Sequence, residues 1–217
     1  MLIPLADLIK KYKINPKGVL HVGANTGQEA EDYFKAGIEH TYWIEPIPEI
    51  YNQLVKHVSK FDFKSSSFCN ALITDVNGEM VDFHIANNDG QSSSLLNFGT
   101  HSKEHPTVKF IKTITLETVR IDKIFNDLSS NVENDFNPYD YDFLNIDVQG
   151  AELLVLKSMG RYMNNFDFAY IEVNTAHLYK DCPLIEDIDQ FFSDYGLERV
   201  ETKMTGWKWG DAFYIKF

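Results

Sequence analysis

Cysteine is scarce in this chain, with only Cys69 and Cys182 among 217 residues. A disulfide-stapled scaffold is therefore excluded, and two reduced thiols in a cytoplasmic protein are expected. Long apolar runs are missing too: no stretch approaches the roughly 20 residues needed to cross a bilayer. The apolar start MLIPLADLIKKYK is interrupted by Asp7 and the lysines too early for a signal-peptide core. Basic residues are the third shortage, 20 Lys and Arg against 32 Asp and Glu, for a net charge of −12. With no Lys or Arg cluster to track phosphates, nucleic acid is not expected as a partner, nor is an anionic membrane surface. What the chain does have is 16 Phe, 11 Tyr and 3 Trp in a composition 44% apolar. That is enough to bury a core without staples, and too much for a disordered segment.

Periodicity divides the chain into alternating units. Leu5, Leu8, Ile9 and Tyr12 recur at helical spacing up to Asn15-Pro16. The run 18–22 reads as a buried strand, 27–36 as a helix ended by Gly37, 41–45 as a second strand, and 48–59 as a helix opened by Pro48. Two βα units in succession predict a parallel sheet covered by helices. The middle changes character: 63–74 reads as one strand, Asn77-Gly78 as a hairpin turn, and 81–86 as a half-exposed strand. A polar loop follows, then the β-branched strand 108–119 and a helix over 121–128. Between 121 and 152, eight acids, Glu133 among them, face the single base Lys123, which predicts a solvated face. Strands at 141–147 and 168–173, helices at 150–159 and 184–195, and two closing strands, 197–203 and 212–217, complete the pattern. One domain over 1–217 with a β-rich insertion near 76–120 is the economical organisation.

The sharpest local motif is VLHVGANTG at 19–27, a strand ending in a glycine-bounded turn. Gly23 and Gly27 carry no side chain, so a ligand can approach the backbone at the strand's carboxyl end. Glu45 ends the next strand 22 residues after Gly23, where an acid can accept both hydroxyls of a ribose. A dinucleotide site would require G-x-G-x-x-G, whereas this turn is Gly-x-Asn-x-Gly and is followed by Gln28, Glu29 and Glu31. Those acids repel a pyrophosphate but suit a sulfonium nucleoside. An NAD-dependent oxidoreductase and a non-catalytic nucleoside-binding module are the competing readings.

The second motif is NIDVQGAELLVLK at 145–157, with Asp147 at a strand end before a turn and helix. GANTG, Glu45-Pro46 and this run, in that order, resemble the FkbM-type S-adenosylmethionine-dependent methyltransferases. The resemblance spans about residues 18–175, and Gly210-Asp211-Ala212-Phe213-Tyr214 fits the family's last strand. It implies an α/β, Rossmann-like class I methyltransferase fold: a seven-stranded, mostly parallel sheet in the order 3-2-1-4-5-7-6, helices on both faces, and an antiparallel last strand. It also implies S-adenosylmethionine as cofactor, with Gly23, Ala24, Asn25 and Gly27 along the methionine part, Glu45 on the ribose and Asn70-Ala71 beside the adenine. Ser93 belongs to a Ser-rich segment that resembles the family's near the active site. Transfer to a hydroxyl of a sugar, glycan or small metabolite is the implied reaction, and Gln149 stands where many relatives carry Glu.

Methyl transfer to oxygen asks mainly for alignment, with help from a nearby base. Asp147 is the first candidate, as base or as holder of the cofactor's amino group. Glu172, near the end of the next strand, and His177, just beyond it, are the other catalytic candidates. His101 and His105 bracket a short loop, but no helix places them on one face, so no metal is expected. Trp207 and Trp209 are expected to pack under the final strand, with sugar stacking as the alternative. The oligomeric state is left open, a homodimer included.

Overall fold

The five residues Gly18–Val22 are all buried, as a strand covered on both faces must be, and they form β1 at the centre of the main sheet. In the computed structural model, which describes residues 1–131 and 135–217, β1 pairs in parallel with β2 (His40–Ile44) and with β7 (Phe143–Ile146). β3 (Ser65–Cys69) lies outside β2, and β8 (Phe168–Asn174) outside β7, both parallel. β10 (Trp209–Lys216) inserts antiparallel between β8 and β9 (Leu197–Met204). The sheet order is β3-β2-β1-β7-β8-β10-β9. Numbering only these seven strands gives 3-2-1-4-5-7-6, so this is a class I methyltransferase fold with its antiparallel last strand.

Two-residue alternation divides the strand side chains between two cores. Val19, Trp43, Phe143 and Phe213 face α1 (Leu5–Tyr12), α2 (Ala30–Lys35) and α3 (Pro48–Val58) through Leu8, Tyr33 and Leu54. Leu20, Tyr42, Leu144 and Ala212 face α5 (Ile121–Ser130), α6 (Glu152–Ser158) and α7 (Ile185–Ser193) through Phe125, Val155 and Phe192. Each such large apolar side chain contributes roughly 1.5–3 kcal/mol on burial. Carboxyl ends of the parallel strands therefore share one edge, the edge where open α/β sheets bind ligands.

A second, three-stranded sheet roofs that edge, in the order β4 (Leu72–Ile73), β6 (Phe110–Val119), β5 (Met80–Ala86). Here the structure corrects two expectations. The segment 63–74 is not one strand: it breaks at Asn70-Ala71 and passes from the large sheet to the small one. Asn77-Gly78 does not close a two-stranded hairpin either, because β4 and β5 each pair with β6 and not with each other. The turn is held from the side, with the Gly78 N–H on the Thr118 carbonyl at 2.8 Å and the Arg120 N–H on Asn77 Oδ1 at 2.8 Å. Smaller corrections concern helix ends. α2 starts at Ala30 rather than residue 27, because residues before it coil into the turn of the site. After α6, Gly160 adopts φ +52° and the chain continues as a 3-10 helix over Gly160–Asn165.

The acidic stretch is not uniformly solvated. Asp142 is buried and accepts the Lys17 and Gly18 N–H groups, and Glu152 is buried at the start of α6. Glu133 lies outside the described residues. Cys69 and Cys182 are both free thiols. No helix among the described residues is long and apolar enough to cross a membrane.

Candidate active site

The turn after β1 is built by backbone constraint. Gly23 has φ +80°, and a Cβ there would lie 1.8 Å from the Asp147 carbonyl, so only glycine lets the turns after β1 and β7 meet. Its N–H and that of Ala24 both donate to the Ile44 carbonyl at 3.0 Å. Asn25, at φ +45°, then points its N–H at Glu45 Oε2, 3.0 Å away. The other oxygen of Glu45 accepts the Ile47 N–H at 2.9 Å, so this carboxyl, 4% exposed, is oriented by two backbone donors. Burial pushes it up to about 7, against the pull of those hydrogen bonds.

Glu45 belongs to the wall of a cavity of about 340 Å³ that runs along the carboxyl edge of the sheet and under the small one. Gly23, Asn25, Glu45, Ala71, Ser93, Asp147 and Glu172, all expected in the site, line it. Asp147 is exposed to the cavity, and the desolvation of that enclosed space raises its carboxyl to about 6, with Asp211 and Glu29 adding repulsion. Glu172 is buried and sits well above the ordinary carboxylate range, first through burial and then through Asp147, Glu152 and Asp211. Three acids thus line one cavity, while among the described residues no lysine or arginine does.

Other expected residues support the cavity without lining it. Ala24 is buried behind the turn. Gly27, at φ +77°, makes room for α3: a Cβ would meet Leu54 at 2.8 Å and Val58 at 3.0 Å. Asn70 holds the chain after β2 by donating to the Glu45 and Pro46 carbonyls at 2.8 and 3.0 Å. His177 is outside: it is exposed, and its Nδ1 is paired with the Cys182 carbonyl at 2.9 Å. The next two residues, Leu178 and Tyr179, turn inward instead. Trp209 lines the cavity while packing on the Leu178 cluster, and Trp207 is half exposed with its ring 5.3 Å from His105.

Gln149 is the residue whose role its spacing did not show. In a left-handed conformation (φ +55°), it donates to Asp147 Oδ1 and to Glu172 Oε2, each at 2.7 Å, and accepts the Tyr179 hydroxyl at 2.7 Å. An amide there bridges two acids that would otherwise repel; a carboxylate would have no hydrogen to offer them. The partners lie 23 and 30 residues away, and no local pattern announces them. His101 and His105 also line the cavity, and they do not bracket a loop: His101–Glu104 form the short helix α4, whose one turn brings the two rings to 4.9 Å, yet among the described residues no group of three or more His, Cys, Asp or Glu is arranged to hold a metal.

A glycine cradle, a strand-end acid on the next strand and a cluster of carboxyls without a lining cation sit on the topology of the class I methyltransferase fold. Residues 21–198 match the methyltransferase FkbM domain, and the chain belongs to that family, whose enzymes use S-adenosylmethionine. It is 26% identical over 169 residues to the 2-O-methyltransferase NoeI of Sinorhizobium fredii (strain NBRC 101917 / NGR234). That match covers 75% of this chain and 65% of that protein. Among solved structures, the magnesium protoporphyrin IX methyltransferase of Synechocystis PCC 6803 with bound SAM superposes with a TM-score of 0.53 at 10% identity, covering 98% of this chain and 76% of that one. A ribosomal protein L11 methylase from Lactobacillus delbrueckii subsp. bulgaricus gives 0.51 at 12% identity, covering 96% and 75%.

Proposed function

We propose that this chain transfers a methyl group from S-adenosylmethionine to a hydroxyl oxygen of a sugar, glycan or other small metabolite. The observation that carries the reading is the row Glu45, Asp147, Glu172 along one cavity that, among the described residues, no lysine or arginine lines. Such a row fits a ligand with a diol at one end and positive charge in the middle. The fit extends to the turn, where the Gly23 backbone offers no side chain to obstruct it. When bound, S-adenosylmethionine supplies a methyl carbon on a positively charged sulfur, an electrophile with a neutral leaving group.

The chain's residues then have distinct tasks. Glu45, with both oxygens already oriented, accepts the ribose hydroxyls. Asn25, Gly23 and Ala71 form the walls around the nucleoside, and Ser93 closes it from the roof. Asp147 faces the positive charge, which draws both it and Glu172 toward their ionised forms. The bound donor would supply its methyl carbon to the acceptor oxygen and keep the electron pair of the broken C–S bond on sulfur, while the residues of this chain align the two. The hydroxyl proton passes to the carboxylate pair, which Gln149 holds in place. Alignment of that attack can be worth roughly 7–11 kcal/mol, more than the base itself. NoeI, as a 2-O-methyltransferase, supports oxygen as the acceptor atom.

Calorimetric titration with S-adenosylhomocysteine and with NAD tests the cofactor assignment. Binding of the former alone is expected, and Glu45→Ala should abolish it. Binding of NAD in its place would return the chain to the oxidoreductase reading. Cofactor binding without methylation of any hydroxyl compound, followed by mass spectrometry, would leave a binding module.

A further inference from the structure

The sheet order gives the cavity a direction. Glu45 follows β2 and Trp209 opens β10, with β1, β7 and β8 between them. At about 4.8 Å per strand, the two ends lie roughly 19 Å apart. If the ribose sits at Glu45 and the positive charge at Asp147, the end lined by Val108, Leu178, Tyr179, Trp209 and His101 is left for the methyl acceptor. That end is built. Gly99 and His101 both donate their N–H to the Leu178 carbonyl, at 2.7 and 3.0 Å, and Thr100 donates to the His177 carbonyl at 3.0 Å. A Cβ at Gly99 would lie 2.3 Å from that His177 carbonyl, so the two segments meet backbone to backbone.

His101 is clamped by this arrangement. Its ring stacks on Phe98 at 4.4 Å and 7°, and Phe98 in turn stacks on Phe110 at 3.8 Å. It is 5% exposed; among the described residues its Nδ1 has no hydrogen-bond partner and is sealed from solvent, so a ligand in the cavity meets the ring at Nε2, and burial with His105 nearby lowers the imidazole to about 4. The neutral ring has one donor and one acceptor nitrogen. Polar groups in enclosed places normally have partners, so a cavity-facing ring nitrogen left without one is a group that a ligand can complete. With no lysine or arginine lining the cavity, an anionic acceptor would be buried without compensation.

We propose that His101 hydrogen-bonds the methyl acceptor, and that this acceptor is an uncharged, hydroxyl-bearing ring whose apolar face packs on Trp209 and Leu178. The assignment rests on the methyltransferase reading above, and the test separates the two. Calorimetry with S-adenosylhomocysteine comes first; failure of the wild-type protein to bind it overturns the methyltransferase reading. Histidine ring resonances of the loaded protein are then followed by NMR during titration with methyl α-D-glucopyranoside, phenol and glucose 6-phosphate. One uncharged probe should shift the His101 signals saturably, revealing whether the acceptor is a polyol ring or a phenol, and the phosphate should not bind. His101→Phe retains a ring for the stack but removes the nitrogens. It should weaken the active probe about tenfold while S-adenosylhomocysteine affinity stays within about twofold. His101→Gln serves if the Phe variant does not fold. Absence of a His101 shift with both uncharged probes, unchanged probe affinity in the variant, or preferential binding of the phosphate would overturn the proposal.

Discussion

The floor and the roof of the cavity are held in opposite ways. The floor consists of residues that directly follow strands: Gly23 after β1, Glu45 after β2, Asp147 after β7. Their positions are set by where each strand stops, which is a short-range property. Contacts far apart in sequence hold the roof: Asn25 Nδ2 reaches the Asp89 carbonyl at 3.3 Å and Ser94 Oγ the Gln149 carbonyl at 2.8 Å. Apolar packing of Leu72 and Phe83 against Ile47 and Ile50 completes it. A floor of this kind can present one cofactor in any chain with the same strand ends. The roof is free to differ, so acceptor choice is expected to reside there.

The comparison is broken most severely at the floor. Gly23→Ala places a methyl group where the Asp147 carbonyl stands and also strains a φ of +80°. We expect a loss of more than about 3 kcal/mol in urea denaturation and no measurable S-adenosylhomocysteine binding. An alanine at Gly78 has a similarly positive φ (+81°) but meets no heavy atom closer than 3.9 Å, so its cost should stay near 1 kcal/mol. Equal costs at the two positions would show that backbone strain alone, and not the meeting of two turns, makes Gly23 necessary.

Protonation sharpens it next. Positive charge favours an ionised Asp147, so S-adenosylmethionine affinity should fall as pH drops through about 6, approaching tenfold per pH unit below it. The uncharged sulfur of S-adenosylhomocysteine should show a shallower slope, and Asp147→Asn should remove the difference while weakening S-adenosylmethionine about tenfold or more. Stability of the unliganded chain runs the other way. Glu45 at about 7 and Asp147 at about 6 have folded-state values above their ordinary 4.5 and 3.8. Between about pH 4 and 7 the native chain therefore binds more protons than the unfolded one. Its stability from these groups is full at low pH and declines as pH rises through that window. Thermal melts of wild type and Glu45→Gln across pH 5 to 8 would show whether the buried carboxyl carries that slope.

The same division explains what could be read in the sequence. Strand, glycine turn and strand-end acid are contiguous at 19–27 and 41–45, so a parallel sheet with a ligand edge was legible from them, while the strand order came with the family resemblance; in the structure Gly23, Asn25 and Glu45 line the cavity. The roof was not legible, because its strands pair out of order. A parallel β4–β6 pair links Leu72 to Thr118 across 46 residues, and nothing near Asn77-Gly78 signals that a third strand will enter between its neighbours. His177 illustrates the limit at single-residue scale. Loop position brought it close to the site, but the backbone of 176–179 turns Leu178 and Tyr179 inward and leaves His177 exposed. Gln149 was legible as a residue of the motif, but its three partners came only with the folded structure.

Ser94 tests whether floor and roof act as one unit. Its side chain is fully buried; Oγ donates to the Gln149 carbonyl and accepts the Leu96 N–H at 2.9 Å, while its backbone exchanges two hydrogen bonds with His84. Ser94→Ala keeps the backbone pairing and removes the link to the turn after β7 together with the acceptor of the Leu96 N–H. One buried acceptor and one donor lose their partner, which should cost about 1–2 kcal/mol in urea denaturation. If that link also positions Gln149, whose amide spans Asp147 and Glu172, methyl transfer should slow with little change in S-adenosylhomocysteine affinity. Addition of Gln149→Ala to Ser94→Ala should then slow transfer by less than the product of the single effects, because both act through the same amide. Strictly multiplicative losses would mean that the roof merely covers the floor and that the two regions contribute to the reaction independently.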